Sequence, residues 1–212
     1  MAVKIGRFIS FEGGEGAGKS TQAQRLAERL IAARRTVTLT REPGGTSGAE
    51  TLRALLVQGG SDRWSPMTEA LLMYAARRDH IERLIRPALM RGEWVISDRF
   101  ADSTRAYQGA AGGVDPAFIG ALERFVLEQT APDLTLVFDL PAEIGLARAG
   151  IRDAETQGRF EAKGLEFHRA LRSEFLEIAA GQPARCAVID AAQTPDEVEA
   201  QIWALIEARL VP

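Results

Sequence analysis

Cysteine is almost missing from this chain of 212 residues: Cys186 stands alone, so no internal disulfide forms and the fold must be held by its core. It lies in the apolar run Cys186-Ala187-Val188-Ile189, where a small buried hydrophobe is the expected role. Histidine is nearly as scarce. His80 and His168 stand apart, without the spacing of metal ligands or of a nucleophile-activating pair, so neither is given such a role. Long apolar runs are also lacking, and no stretch approaches membrane-spanning length. The first residues carry no apolar leader core, so a cytoplasmic protein with no membrane partner is expected. Nor is there an excess of positive charge: the formal charge of −3 speaks against a nucleic-acid partner. Of 26 basic side chains only Lys4, Lys19 and Lys163 are lysines. One of those three sits in the most informative stretch of the chain.

That stretch is Phe8-Ile9-Ser10-Phe11-Glu12 followed by Gly13, Gly14, Glu15, Gly16, Ala17, Gly18, Lys19, Ser20 and Thr21. A β-prone run stops at a glycine cluster, and a helix former starts at once after it. From Gly13 to Ser20 the pattern is G-x-x-x-x-G-K-S, the phosphate-binding P-loop. Glycines let the backbone wrap a polyphosphate with its N–H groups inward, and the helix N-terminus adds positive potential. Lys19 reaches the β- and γ-phosphates, and the Ser20 hydroxyl takes one position on Mg²⁺. Chance would produce the pattern in a chain of this length on the order of one time in a hundred. The strand before and helix after make chance a poorer account still. A nucleoside triphosphate site with Mg²⁺ as cofactor follows.

Apolar periodicity organises the rest. Strands are expected near 7–11, 36–40, 94–97, 134–138 and 186–189, with helices between them. The first helix runs from about Lys19 to Arg34. A second starts near Ser47, and a third runs from Pro66, capped by Ser65, to about Arg91. The core stripe of the third is Met67, Leu71, Tyr74, Ile81, Leu84, Ile85 and Ala88, with Met73, Arg77 and His80 on an adjoining face. Residues 100–108 read as a loop entering a helix, and 109–113 as a break. The next helix shows Phe118, Leu122, Phe125 and Val126. Pro141 starts a helix carrying Arg148, and 150–158 reads as a mobile polar segment. Helices from about 161 to 180 and from Thr194-Pro195 to about Leu210 complete the chain. The alternation predicts an α/β fold of about five parallel strands with helices on both faces, the three-layer sandwich of P-loop NTPases, in one domain. Ligands in such a sheet gather at the strands' carboxyl ends. Asp98, at the end of the third strand, is therefore a second candidate metal group.

A P-loop alone does not separate a kinase from an ATPase or a switch. The run Val95-Ile96-Ser97-Asp98-Arg99-Phe100-Ala101-Asp102-Ser103-Thr104-Arg105-Ala106-Tyr107-Gln108 resembles the signature of thymidylate kinases. The P-loop itself, Thr40-Arg41-Glu42-Pro43-Gly44-Gly45-Thr46 and Tyr74-Ala75-Ala76-Arg77 resemble the same family, in the family's order and over nearly the whole length. The resemblance implies transfer of the ATP γ-phosphoryl group to dTMP with Mg²⁺, giving dTDP and ADP for dTTP and DNA synthesis, by a homodimer. It places Glu15 near the sugar 3′-hydroxyl and the acceptor phosphate, and Arg53 and Arg99 on that phosphate. Arg77 reads a thymine carbonyl with help from Ser103 and Thr104, and Tyr107 crowds the sugar's 2′ side. Pro43, Met73 and Gln108 complete the dTMP pocket. Met73 stands where family members often stack an aromatic ring on the base.

Some members carry a catalytic arginine in the P-loop, at the position of Gly16 here, and others carry it in the lid. In this chain the resemblance therefore points to a lid at about 148–160, with Arg152 as the transition-state contact and Arg148 second; Arg159 lies in the same region. Plainer readings stand beside these. Met73 also suits ordinary core packing, Arg152 an ordinary charged loop, and Asp98-Arg99 a solvent-facing ion pair. Glu12 reads equally as a catalytic group and as a support for the P-loop or a neighbouring arginine.

Overall fold

The structure, a computed structural model, describes residues 6–60, 62–152 and 163–211, with the backbone alone at 151 and 152. Its centre is a five-stranded sheet formed by β1 (Arg7–Gly13), β2 (Val37–Arg41), β3 (Trp94–Asp98), β4 (Leu134–Asp139) and β5 (Cys186–Asp190). The strand order is β2-β3-β1-β4-β5, and every pairing is parallel. Parallel neighbours need crossovers, and helices supply them. Period-two alternation sorts β1 between the faces. Ile9 and Phe11 pack with Ala23, Leu26 and Leu30 of α1 (Lys19–Ala32) and with Val198, Ile202 and Ile206 of α9 (Pro195–Arg209). Phe8 faces the other way, onto Ile81, Ile85 and Phe100. Cys186 is buried there too, among Leu171, Phe175 and Ile178 of α8 (Leu165–Gly181). Both faces are covered, as near-continuous apolar strands require.

The long third helix departs from the expected uninterrupted run. It is α3 (Pro66–His80), a π-helical turn (Ile81–Ile85) and α4 (Arg86–Met90) in direct succession. Pro87, in the first turn of α4, has no N–H to donate, and the wider turn before it absorbs the lost register. Met67 and Leu71, expected in the core, are 49% and 47% exposed. The reason lies in the buried side of α3, which includes Glu69, Arg77 and His80 as well as Ala70 and Tyr74. A helix that turns polar groups inward shows its apolar stripe on the wrong face. The same holds for α6 (Pro116–Leu127), where Ile119 and Glu123 are buried and Phe125 is 77% exposed.

Three smaller boundaries also move. Asp98 is the last residue of β3, and no loop precedes the next helix: α5 (Ala101–Thr104) and a π-helical segment (Arg105–Ala110) follow almost at once. Helix α7 (Ala142–Arg152) runs on through Gly150 into the stretch expected to be a polar segment. Residues 153–162, most of the expected lid, and with them Arg159, lie outside the described residues, as does the side chain of Arg152. Helix α2 (Ser47–Val57) carries Arg53 as expected.

Candidate active site

The strand register brings the chemistry to one edge. Phe11 pairs with Asp98, Asp98 with Arg41, and Gly13 with Phe138. The P-loop after β1, the Asp98-Arg99 corner after β3 and the Glu42–Gly45 loop after β2 therefore lie side by side.

At the P-loop, Gly16 and Gly18 have φ of 67° and 85°, the left-handed region that glycine enters without penalty. Helix α1 starts there with Gly18 as its N-cap, no side-chain cap and no acid in its first turn. Helices α2, α3, α6 and α9 are instead capped by Thr46, Ser65, Asp115 and Thr194. The free N–H groups of α1 suit an anion rather than a side chain. Lys19 is buried, and its Nζ donates to the Gly14 carbonyl at 2.5 Å. Burial, and then the like charge of Arg99, pulls its ammonium down to about 8. Ser20 Oγ donates to Asp98 through a short hydrogen bond. A hydroxyl and one carboxylate suit a small hard cation that keeps its waters and takes its other ligands from phosphate oxygens. Among the described residues no cluster of three His, Cys, Asp or Glu side chains offers a different kind of metal site.

Arg99 sits at φ 71°, a conformation rare outside glycine and worth attention at a functional site. Its Nη2 meets Glu15 Oε1 at 2.7 Å, and its Nη1 donates to the Gly13 carbonyl at 3.0 Å and to Ser103 Oγ at 3.2 Å. Tyr107 donates its hydroxyl to the same Glu15 oxygen at 2.7 Å. Burial pushes that hydroxyl well above its ordinary range, so it keeps its proton. For Glu15, burial acts upward, but Arg99, Lys19 and Tyr107 together hold the carboxyl down at about 2. Glu15 is thus a fixed negative charge between two cations. Arg53 donates to the Pro43 carbonyl at 2.7 Å and lies within electrostatic reach of Asp98 and Arg99.

Arg77 is buried on the far side of this corner. Its Nε meets Glu42 Oε2 at 2.7 Å, and its Nη2 donates to the Phe100 carbonyl at 2.9 Å and to Thr104 Oγ1 at 3.2 Å. Its Nη1 is buried without a hydrogen-bond partner among the described residues. A cation's donor left unpaired inside a protein is costly, which marks the place for a polar atom of a ligand. Gln108 is buried and donates to Glu69 at 3.2 Å, while Met73 is half-buried on α3. Ser103 belongs to the Arg99 side of the corner and not to the Arg77 side. Arg148 donates to the Ala191 carbonyl at 3.1 Å, beside the end of β5.

Four supporting groups were not assigned from the sequence: Glu42, Glu69, His80 and the Asp102–Arg185 ion pair, at 2.7 Å. The acidic residue beside Pro43-Gly44-Gly45 was the available signal for Glu42. Glu12 is a supporting group: its carboxylate accepts from Phe100 N–H at 2.8 Å and from Ser103 Oγ at 2.6 Å, and so pins the turn in which Arg99 is strained. Burial, then the charge of Asp102, pushes its carboxyl from 4.5 up to about 7. Between those values the folded state holds a proton that the unfolded chain has lost, so this group makes stability fall as pH rises through that window. Glu12→Gln keeps an acceptor for Phe100 and abolishes the titration. The variant's thermal midpoint is expected to gain on the wild type as pH is raised from 4.5 to 7.5. Parallel pH profiles of the two proteins would exclude this role for Glu12.

Comparison with known proteins adds to this geometry. The family model described as thymidylate kinase matches residues 11–202. A thymidylate kinase of Caulobacter vibrioides is 62% identical over 205 residues, covering 97% of this chain and 98% of the relative. Another, from Bradyrhizobium diazoefficiens, is 52% identical over 208 residues, covering 98% of this chain and 91% of the relative. The crystal structure of thymidylate kinase from Ehrlichia chaffeensis aligns with a TM-score of 0.75 at 36% identity, covering 95% of this chain and 98% of that one.

Proposed function

Since this chain belongs to the thymidylate kinase family, nucleoside monophosphate kinases that phosphorylate dTMP from ATP, we propose that its site works as follows. ATP lies along Gly13–Thr21, with its phosphates on the loop's N–H groups and the open end of α1. Lys19 leaves the Gly14 carbonyl for the β- and γ-phosphate oxygens. Ser20 and Asp98 hold Mg²⁺, which supplies neutralising charge on those phosphates when bound.

The dTMP phosphate is held by Arg53 and Arg99. Glu15, pinned by Arg99 and Tyr107, faces the sugar, and Tyr107 crowds its 2′ position. Arg77 offers Nη1 to a thymine carbonyl, with Thr104, Gln108 and Met73 around the base. An oxygen of the dTMP phosphate attacks the γ-phosphorus in line, and the bond to the β–γ bridging oxygen breaks, releasing ADP. No protein nucleophile and no proton transfer to the protein are needed. The remaining positive charge comes from the lid, from Arg152 first and Arg148 second.

The buried, unpartnered Nη1 of Arg77 is the observation that carries the acceptor assignment, because a bare ATPase has no use for such a donor. The chain reads as one domain. The exposed Leu55, Met67, Leu71 and Phe125, on the adjoining helices α2, α3 and α6, support a homodimer.

ADP release from ATP and Mg²⁺ with dTMP, dUMP, UMP and thymidine in turn tests the reading. Stimulation by dTMP of at least tenfold over the other acceptors is expected, with dTDP as product. Hydrolysis indifferent to every acceptor would overturn the kinase assignment.

A further inference from the structure

His80 takes no part in the scheme above, yet no part of it is exposed. Its Nδ1 lies 2.9 Å from Glu42 Oε1, and its Nε2 lies 2.8 Å from Thr40 Oγ1. A neutral ring satisfies both contacts when Nδ1–H donates to the carboxylate and Nε2 accepts the threonine proton. The other Glu42 oxygen receives Arg77 Nε. With Nη2 fixed by Phe100 and Thr104, those two anchors define the plane of the guanidinium and hence where the free Nη1 points.

The loop is shaped to this ring. Gly45 has φ 89°, and a Cβ there would come within 2.5 Å of both His80 Nε2 and Thr40 Oγ1. The same loop holds Arg53 through the Pro43 carbonyl. One short segment thus carries an anchor for each end of the acceptor, and His80 is what braces its carboxylate from behind.

We propose that His80 is a positioning residue for base recognition: by donating to Glu42 it fixes the carboxylate that sets the plane of Arg77 toward the acceptor's base carbonyl. The inference rests on the assignment of Arg77 to that carbonyl.

Two polar substitutions separate orientation from mere packing. Asparagine puts its amide nitrogen near the place of Nδ1 and keeps a donor for Glu42. Glutamine reaches the place of Nε2, toward Thr40, and leaves Glu42 without one. His80→Gln is expected to raise KM for dTMP about tenfold, the scale of one hydrogen bond to a charged group. Its kcat stays within about threefold and KM for ATP is unchanged, while the preference for dTMP over dCMP shrinks. His80→Asn stays within about threefold of wild type throughout. Thermal midpoints of both variants and the parameters of Arg77→Ala are measured alongside.

A wild-type KM for dTMP in His80→Gln, or equal losses in the Asn and Gln variants, overturns the inference, provided that Arg77→Ala raises that KM. Should Arg77→Ala leave dTMP binding and base preference untouched, it is the assignment of Arg77 that falls, and the role of His80 with it.

Discussion

Alanine in place of Lys19 lowers kcat for dTDP formation by about a thousandfold, the upper range for deleting one preorganised donor to developing charge. Three features of the structure put this residue at the top of the ranking. The ammonium is buried in the loop, held at 2.5 Å by the carbonyl of Gly14, and its proton affinity is drawn down to about 8 by burial and by Arg99. A cation kept in such surroundings gains more from an incoming polyphosphate than a solvated one does, because the low-dielectric site strengthens the attraction. Arginine does not rescue the variant, since its planar fork cannot follow the compact ammonium into the loop. Steady-state turnover with dTMP reads the effect, and the dTMP affinity of the variant, measured by calorimetry, stays within about threefold of wild type. Turnover within tenfold of wild type would remove Lys19 from the γ-phosphate.

What the sequence made legible was the part governed by periodicity and by strict spacing. All five strands come out within about two residues of their observed bounds: β3 and β4, buried along nearly all their length, are close to continuous in apolar content, while the edge strand β2 shows through its β-branched run. The P-loop is legible because its glycines answer to backbone geometry, and only glycine enters φ near 67° or 85° freely.

What stayed hidden is the network of buried polar groups. Glu42, Arg77 and His80 come from the β2 loop and from α3, and only the fold shows that they converge on one corner, with Glu69 buried farther along α3 against Gln108. Their burial also inverts the amphipathic signal of α3, so that Met67 and Leu71 look like core and Arg77 looks like surface. The error and the site have the same origin: a helix that lines a polar pocket cannot present a clean apolar stripe. Only the motif around it draws Arg77 into the site at the level of sequence, while His80, which is buried beside it, lies outside any motif.

Arg152→Ala is expected to lower kcat by about 10³–10⁵, the range for an arginine that meets the transferring phosphoryl group. The constraint lies at Gly16. With φ at 67°, a side chain there is strained, and the carbonyl of Gly145 in α7 fills the place where its Cβ would be. A Cβ at Gly145 would in turn meet the Glu15 carbonyl. The P-loop and α7 touch backbone to backbone, so no arginine projects from position 16 over the phosphates. Arg99 is paired with Glu15 at 2.7 Å, and Arg172 with Asp139 at 2.6 Å. The lid charge proposed above is therefore assigned to the end of α7, the helix whose backbone at Gly145 meets the loop. Arg148 is held by the Ala191 carbonyl, and its removal costs less than tenfold. Arg152 follows one helical turn later, in the last residue of α7. KM for dTMP stays within about fivefold in Arg152→Ala, since the contact is made in the transition state and not with bound acceptor. Adding Gly16→Arg to that variant does not restore turnover, because the loop cannot seat the new side chain while α7 lies against it. Recovery in the double variant would show that the Gly16–Gly145 contact yields, and an order reversed between Arg148 and Arg152 would hand the role to Arg148.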